Sequence, residues 1–147
     1  EAMYEVITPI SVSHNNIWML MHREYFQFEV RSCAEAMIAM TEVSGNTTWH
    51  AYELIIGKDN KTYIYDSESA TNVAEADTPG ILDCGEHRSF WLAWTDVGPG
   101  RGIHFGQGQL NTKPYILEYV KLTENAHIRS LSLHSTNEAD WKFAEDS

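Results

Sequence analysis

The clearest pattern along the chain is an alternation of apolar and polar residues with a period of two. Phe26, Phe28 and Val30 alternate with polar residues, as they do in a strand that buries one face. Similar segments, each about one strand long and rich in aromatic or β-branched residues, occur at 52–56, 62–65, 89–94, 102–105, 115–122 and 128–133. The pattern therefore predicts a chain of many short strands.

Short segments of turn residues separate these strands, at 57–61, 97–101 and 123–126. Short strands joined by short turns form antiparallel sandwiches or barrels. We therefore predict an all-β fold, with residues 1–147 forming a single antiparallel β-sandwich domain of jelly-roll type.

Two segments fit this pattern less well. Residues 33–40 are rich in Ala, Glu and Met, which favour a helix, but two helical turns are short enough for neighbouring strands to impose an extended conformation. Residues 67–80 are acidic and contain few large apolar side chains, so we expect a long surface loop there.

The chain of 147 residues is 43% hydrophobic, which is enough to fill the core of one domain. Its formal net charge of −11 opposes binding to nucleic acid and to anionic membranes. No segment approaches the roughly 20 apolar residues of a membrane-spanning helix, so we expect no membrane insertion. The first residues do not resemble a signal peptide, and we expect that any signal has been removed.

The two cysteines, Cys33 and Cys84, lack the C-x-x-C spacing of zinc sites and redox pairs. A disulfide between them within the chain, or a disulfide that joins two subunits, remains open. Asn46 and Asn60 each begin an N-glycosylation sequon. Together these features favour a secreted protein in the oxidising extracellular space.

No arrangement typical of catalysis is found in the sequence. There is no G-x-S-x-G nucleophile motif, and none of the seven histidines has the H-E-x-x-H spacing of a zinc site. The glycine-rich segment 98–102 precedes a predicted strand rather than a helix, so it indicates a hairpin turn instead of a phosphate-binding loop. We therefore predict that the protein is not an enzyme.

Calcium is the one cofactor that the sequence leaves open. Acidic residues are plentiful but do not form an EF-hand, so a calcium site would have to combine separate loops. The candidates are Asp59, Asp66, Glu68, Asp77, Asp96, Glu138 and Asp140.

The chain contains five Trp and seven Tyr residues, most of which must lie in the core. One or two aromatic rings near a loop would offer an apolar platform with polar neighbours. Sugars need this combination because they carry an apolar face and a rim of hydroxyl groups. Galactose, which has a continuous apolar face, is the first choice of ligand.

Four segments in this order resemble the farnesoic acid O-methyltransferase-like domain of animal secreted and cell-surface proteins. They are 25–33, 52–57, 82–84 and 90–94, and the resemblance extends from about Met3 to Phe143. The segment 103–108 matches an Ile-x-x-Gly-x-Gly strand of the family, whereas the turn at 96–101 is longer and Lys58-Asp59-Asn60 replaces a Gly-rich stretch. Both departures fall in loops and bear on the choice of ligand more than on the fold.

The resemblance has two implications for function. The family name implies methyl transfer, but the sequence lacks the doubly wound architecture with a Gly-rich turn in which such enzymes usually hold S-adenosylmethionine. Domains of this type resemble extracellular recognition modules, and some invertebrate members look like lectins. We therefore expect a secreted lectin that binds a glycan with a terminal hexose, with galactose favoured.

The candidate sugar contacts lie in two loops. Asp96 and Arg101 belong to the Gly-Pro-Gly turn, and Asn137, Asp140 and Trp141 lie near the C-terminal end. As alternatives, Trp141 is a core residue, and Asp96 and Arg101 are ordinary surface charges. Weak single sites gain avidity when several are presented together, so we expect a homodimer.

Two other functions remain as alternatives to the lectin. One is a non-catalytic protein-interaction module whose acidic surface binds a basic partner, and such binding should weaken steeply with salt. The other is the methyltransferase that the family name implies.

Overall fold

The structure, a computed structural model, describes residues 3–8, 16–17, 25–44, 47–94, 102–110, 112, 114–120 and 128–144. Every regular element among them is a β-strand. The strands are β1 (Met3–Thr8), β2 (Asn16–Ile17), β3 (Tyr25–Ser32), β4 (Ala36–Ser44), β5 (Thr47–Lys58), β6 (Lys61–Asp66), β7 (Thr71–Asp77), β8 (Arg88–Trp94), β9 (Ile103–Gln107), β10 (Leu117–Tyr119), β11 (Ile128–His134) and β12 (Ala139–Ala144). The predicted all-β fold is confirmed.

The strands form two six-stranded antiparallel sheets. The order is β1-β12-β3-β8-β9-β10 in the first sheet and β2-β11-β4-β5-β6-β7 in the second. Four strand pairs alternate between the first and the second sheet, namely β1·β12, β2·β11, β3·β8 and β4·β5. This alternation is the one expected when a single long antiparallel hairpin is rolled up. This is the jelly-roll arrangement, with β6 and β7 extending one sheet and β9 and β10 the other.

The core lies between the two sheets and follows the period-two pattern. In β3 every second residue is buried, so Phe26, Phe28 and Val30 face the second sheet. From that sheet, Ile38 and Leu54 are among the residues that meet them. The alternation that predicted the strands is therefore the same alternation that fills the core.

Trp91 forms a second, smaller cluster on the outer face of the first sheet. It is fully buried although it alternates with the core residues Phe90 and Leu92. The ring of Tyr115 meets it edge-on at a centroid distance of 5.5 Å, and Gly106 lies opposite it on β9. The segment that carries Tyr115 thus covers Trp91 from the solvent side.

Three expectations for the strands need comment. The expected acidic loop at 67–80 is wrong, because residues 71–77 form β7 at the end of the second sheet and pair with β6. The helix-forming residues after Ala36 lie in β4, between β11 and β5, so the two neighbouring strands impose the extended conformation. Of the strand predicted at 115–122, the described residues 115–120 form a strand at Leu117–Tyr119, and residues 121–122 lie outside the described ones. The turns predicted at 97–101 and 123–126 lie outside the described residues.

Candidate functional site

Cys33 and Cys84 form a disulfide within the chain, at one end of the sandwich. It joins the β3–β4 connection to the β7–β8 connection. The backbone N–H of Ser32 donates a hydrogen bond to the carbonyl oxygen of Asp83 at 3.1 Å, which ties the same two segments together. Both cysteines are exposed, so the disulfide lies at the surface and forms part of two clefts.

The larger cleft encloses about 420 Å³ and is polar. It lies between three segments, namely 32–35, 57–60 and 78–84. One cation, Lys58, and three acids, Glu35, Asp59 and Asp83, are among its lining residues. The aliphatic part of its wall comes from Ile81 and Leu82, and no aromatic residue is among those that line it.

Glu35 holds one wall of the larger cleft in place. Its Oε1 accepts hydrogen bonds from the backbone N–H of Thr136, at 3.1 Å, and from the Thr136 hydroxyl. Burial disfavours the charged carboxylate, but the two hydrogen bonds and the charge of Lys58 outweigh burial and lower the pKa of Glu35 below its ordinary value. The carboxylate thus ties the β3–β4 connection to the β11–β12 turn.

Replacing Glu35 with glutamine is expected to lower the free energy of unfolding at pH 7 by about 1–2 kcal/mol, because a charge-assisted hydrogen bond becomes a neutral one. The folded-state pKa of Glu35 is depressed, so its contribution is complete above the ordinary pKa of 4.5 and is lost as the pH falls through the folded value. Urea unfolding at a series of pH values measures both effects.

Glu75→Gln is the control for this comparison, since Glu75 is half-exposed and its interaction among the described residues is a surface ion pair with Lys61 at 3.6 Å. The stability difference between the wild type and Glu35→Gln should shrink toward pH 3. A difference that stays constant with pH would contradict the role given to the carboxylate.

The smaller cleft encloses about 160 Å³ on the other side of the disulfide. Ser32, Cys33 and Cys84 line both clefts, and the smaller one is completed by Arg31, Glu138 and Asp140. Arg31 and Asp140 are neighbours on β3 and β12. Each alternates with core residues, so both side chains lie on the outer face of the first sheet.

Asp140 is the most unusual side chain of the smaller cleft. Its side chain is only 8% exposed, and its Oδ2 lies 3.3 Å from Nη2 of Arg31 and 3.6 Å from Nε2 of His87. Its Oδ1 is buried and has no hydrogen-bond partner among the described residues, and the same holds for Nε2 of His87. A buried carboxylate oxygen without a donor is rare, because native proteins satisfy nearly all buried polar atoms.

The sugar contacts predicted from the sequence lie in different surroundings in the structure. Asp140 lines the smaller cleft, and Asn137 is exposed in the adjoining β11–β12 turn. Trp141 is fully buried in the core, where its Nε1 donates a hydrogen bond to Oγ1 of Thr8 at 3.0 Å. It has the core role that the sequence left open.

Asp96, Arg101 and Asn46 lie outside the described residues. The strand that ends before Asp96, β8, pairs Ala93 with Tyr25, whereas Asp140 pairs with Arg31. These two positions on β3 are six residues apart in number, or about 20 Å along a strand. Asp140 therefore lies far from the described end of β8, at Trp94.

Sequence reasoning did not select Arg31, His87, Glu35 or Lys58. Arg31 and His87 lie two residues before Cys33 and three after Cys84, so closeness to the cysteines was the available indication. Asn60, the second residue of the β5–β6 turn, is exposed and lines the larger cleft.

No three His, Cys, Asp or Glu side chains converge on a metal-binding geometry within the described parts of the chain. Calcium binding therefore stays a prediction without a described site. No described aromatic residue lines either cleft, and Phe28, Phe90 and Phe143 line a separate depression of about 370 Å³ elsewhere on the first sheet. Stacking of a sugar on an aromatic ring likewise has no described platform beside Asp140.

The model of the farnesoic acid O-methyltransferase family matches residues 4–146. The chain belongs to this family. The resemblance seen in the sequence, from about Met3 to Phe143, is thereby confirmed over nearly its whole length. No curated protein and no solved structure matches this member of the farnesoic acid O-methyltransferase family.

Two observations bear on where this family member works. The Cys33–Cys84 disulfide is typical of oxidising compartments. The described residues include no helix that could cross a membrane. Both are compatible with an extracellular protein.

Proposed function

We propose that this protein is a secreted lectin that binds the terminal hexose of a glycan, with galactose as the first candidate, in the smaller cleft. One observation carries the proposal, namely the carboxylate of Asp140, which lines the smaller cleft and whose buried Oδ1 has no donor among the described residues. A sugar hydroxyl is a suitable donor for this carboxylate, and Arg31 offers N–H groups to the oxygens of neighbouring hydroxyls.

The energetics favour a ligand at this position. A buried acceptor without a donor costs about 1–3 kcal/mol, and a ligand hydroxyl that reaches Oδ1 of Asp140 recovers this cost. The carboxylate already accepts a hydrogen bond from Arg31, so it loses little side-chain entropy when a ligand binds. The position of the hydroxyl on the ring then decides which hexose fits.

The size of the smaller cleft also favours a single sugar ring. Sites for drug-sized ligands are usually about 300–1,000 Å³ in volume, whereas this cleft encloses about 160 Å³. We infer that it holds one terminal residue while the rest of the glycan extends into solvent. Asn137 and Glu138, in the turn beside Asp140, are placed to contact that extension.

We further propose that the protein is not an enzyme, despite the name of its family. A methyltransferase needs S-adenosylmethionine, whose adenine ring is usually held between apolar or aromatic side chains. The larger cleft is acidic, and no aromatic residue is among those that line it. These residues do not fit the methyl donor. Specific binding of S-adenosylmethionine in a calorimetric titration would revive the enzymatic alternative.

A homodimer remains part of the proposal because two sites on one particle strengthen weak sugar binding. Since Cys33 and Cys84 pair with each other within the chain, this disulfide does not join the subunits. The dimer would therefore keep its size under reducing and non-reducing conditions as long as the fold survives, which size-exclusion chromatography measures.

Asp140→Asn is expected to weaken binding of galactose at least about tenfold, a loss of about 1.4 kcal/mol. The amide keeps the shape of the side chain but replaces one carboxylate oxygen with a donor group. The measurement is a glycan array with and without a calcium chelator, followed by calorimetric titration of galactose into the wild type and the variant.

Glu75→Gln, which alters a carboxylate on β7 away from the smaller cleft, is the matched control and should bind as the wild type does. Thermal unfolding of both variants checks that the fold is intact. Absence of any glycan signal under both conditions would defeat the lectin proposal, and normal galactose binding by a folded Asp140→Asn would defeat its assignment to this cleft.

A further inference from the structure

The sequon Asn60-Lys61-Thr62 lies at the tip of the β5–β6 hairpin. Asp59 and Asn60 have φ values of 53° and 65°, and Lys58 pairs with Lys61 across the turn. Two consecutive residues with positive φ form the type I′ turn that suits a two-residue hairpin. Asn60 is exposed in this turn, so its side chain has room for a large substituent.

Thr62, the hydroxyl residue of the sequon, is in the opposite situation. It is fully buried, and its Oγ1 accepts a hydrogen bond from the backbone N–H of Gly57 at 3.2 Å and lies 2.7 Å from Oγ1 of Thr78. The hydroxyl that completes the acceptor sequence is therefore occupied once the hairpin has closed. Only the chain before closure presents the whole sequon.

We propose that Asn60 carries an N-linked glycan, added before the β5–β6 hairpin closes, whose first sugars lie at the mouth of the larger cleft. The proposal rests on the secretion included in the proposed function, but it does not depend on sugar binding by Asp140. The acceptor sequence, the exposed turn and the disulfide of an oxidising compartment all support it.

The position of Asn60 gives this glycan a consequence for the clefts. Asn60 lines the larger cleft together with Cys33 and Cys84, so a glycan there restricts access to the disulfide from that side. The smaller cleft has Arg31, Glu138 and Asp140 on its other walls and does not include Asn60. The glycan therefore covers one cleft and leaves the other open.

The test begins with the chain secreted from a eukaryotic host and analysed by glycopeptide mass spectrometry, with the cell-retained fraction analysed in the same way. Asn60→Asp is the matched variant, since aspartate also tolerates positive φ but accepts no glycan. We expect a glycan on Asn60 in the wild type and none on this residue in the variant. An unmodified Asn60 in both fractions would overturn the proposal.

Access to the larger cleft is measured by the rate at which a soluble phosphine reduces the native disulfide. We expect reduction to be about threefold slower in the glycosylated protein than in Asn60→Asp, because the rate depends on access to the sulfurs. Equal rates would overturn the position given to the glycan. A wild-type protein that carries the glycan but does not bind galactose would overturn only the lectin proposal. Failure of the glycan proposal and failure of the lectin proposal are therefore distinguishable.

Discussion

Replacing both Cys33 and Cys84 with alanine is expected to lower the free energy of unfolding by about 4 kcal/mol. The two cysteines are 51 residues apart in sequence, and closing a loop of this length removes much of the conformational freedom of the unfolded chain. A loss of this size is a large fraction of the stability of one domain. Equilibrium unfolding in urea, followed by circular dichroism, measures it.

Changing both cysteines together avoids leaving a reactive thiol, and the wild type under reducing conditions is the second arm. Both arms should lose the same stability if the disulfide acts through the unfolded chain. A loss below about 1 kcal/mol in both would show that Ser32, Asp83 and Glu35 hold the connections without it. In that case both clefts should survive reduction.

The fold was largely predictable because the period-two alternation in the sequence follows directly from strands that bury one face. Phe26, Phe28 and Val30 face the core, and the residues between them lie on the half-exposed outer face of the sheet. Every second residue of this strand is therefore apolar and buried. The long-range order of the strands is different. Pairing of β1 with β12 joins the two ends of the chain, and no local pattern specifies such a partner.

β7 shows why one strand was missed. It lies at the end of its sheet, its burial pattern has no fully buried position, and only Val73, Ala74 and Ala76 pack against the core. A strand at the sheet edge that buries so little needs few large apolar residues, so its sequence resembles that of a surface loop. Backbone pairing with β6 keeps this segment extended, although its side chains do not indicate a strand.

The candidate site was only partly predictable for a related reason. Asp140 and Trp141 are adjacent in sequence and were expected to act together, but adjacent residues in a strand point to opposite faces. Trp141 therefore enters the core while Asp140 reaches the outer face. The partners of Asp140 come from β3 and from the residue before β8, which only the topology brings together.

Gly106→Ala is expected to destabilise the fold by about 2–3 kcal/mol, as overpacking of a filled interior does. A Cβ at this position would lie 2.5, 2.6 and 2.7 Å from Nε1, Cε2 and Cζ2 of Trp91. These atoms belong to a rigid ring that is fully buried and that the ring of Tyr115 meets edge-on. The clash therefore outweighs the gain of about 0.5–1 kcal/mol that alanine usually brings in a strand.

Gly85→Ala is the control, since the nearest atom to its added Cβ is a carboxylate oxygen of Asp83 at 3.6 Å, and its expected effect is small. Urea unfolding of both variants gives the comparison. When Gly106→Ala is combined with Trp91→Leu, the loss in free energy of unfolding should be less than the sum of the two single losses. The reason is that the smaller leucine side chain leaves room for the new methyl group. If Gly106→Ala costs no more than Gly85→Ala, or if the double variant shows simple additivity, Trp91 does not press against this strand as the geometry requires.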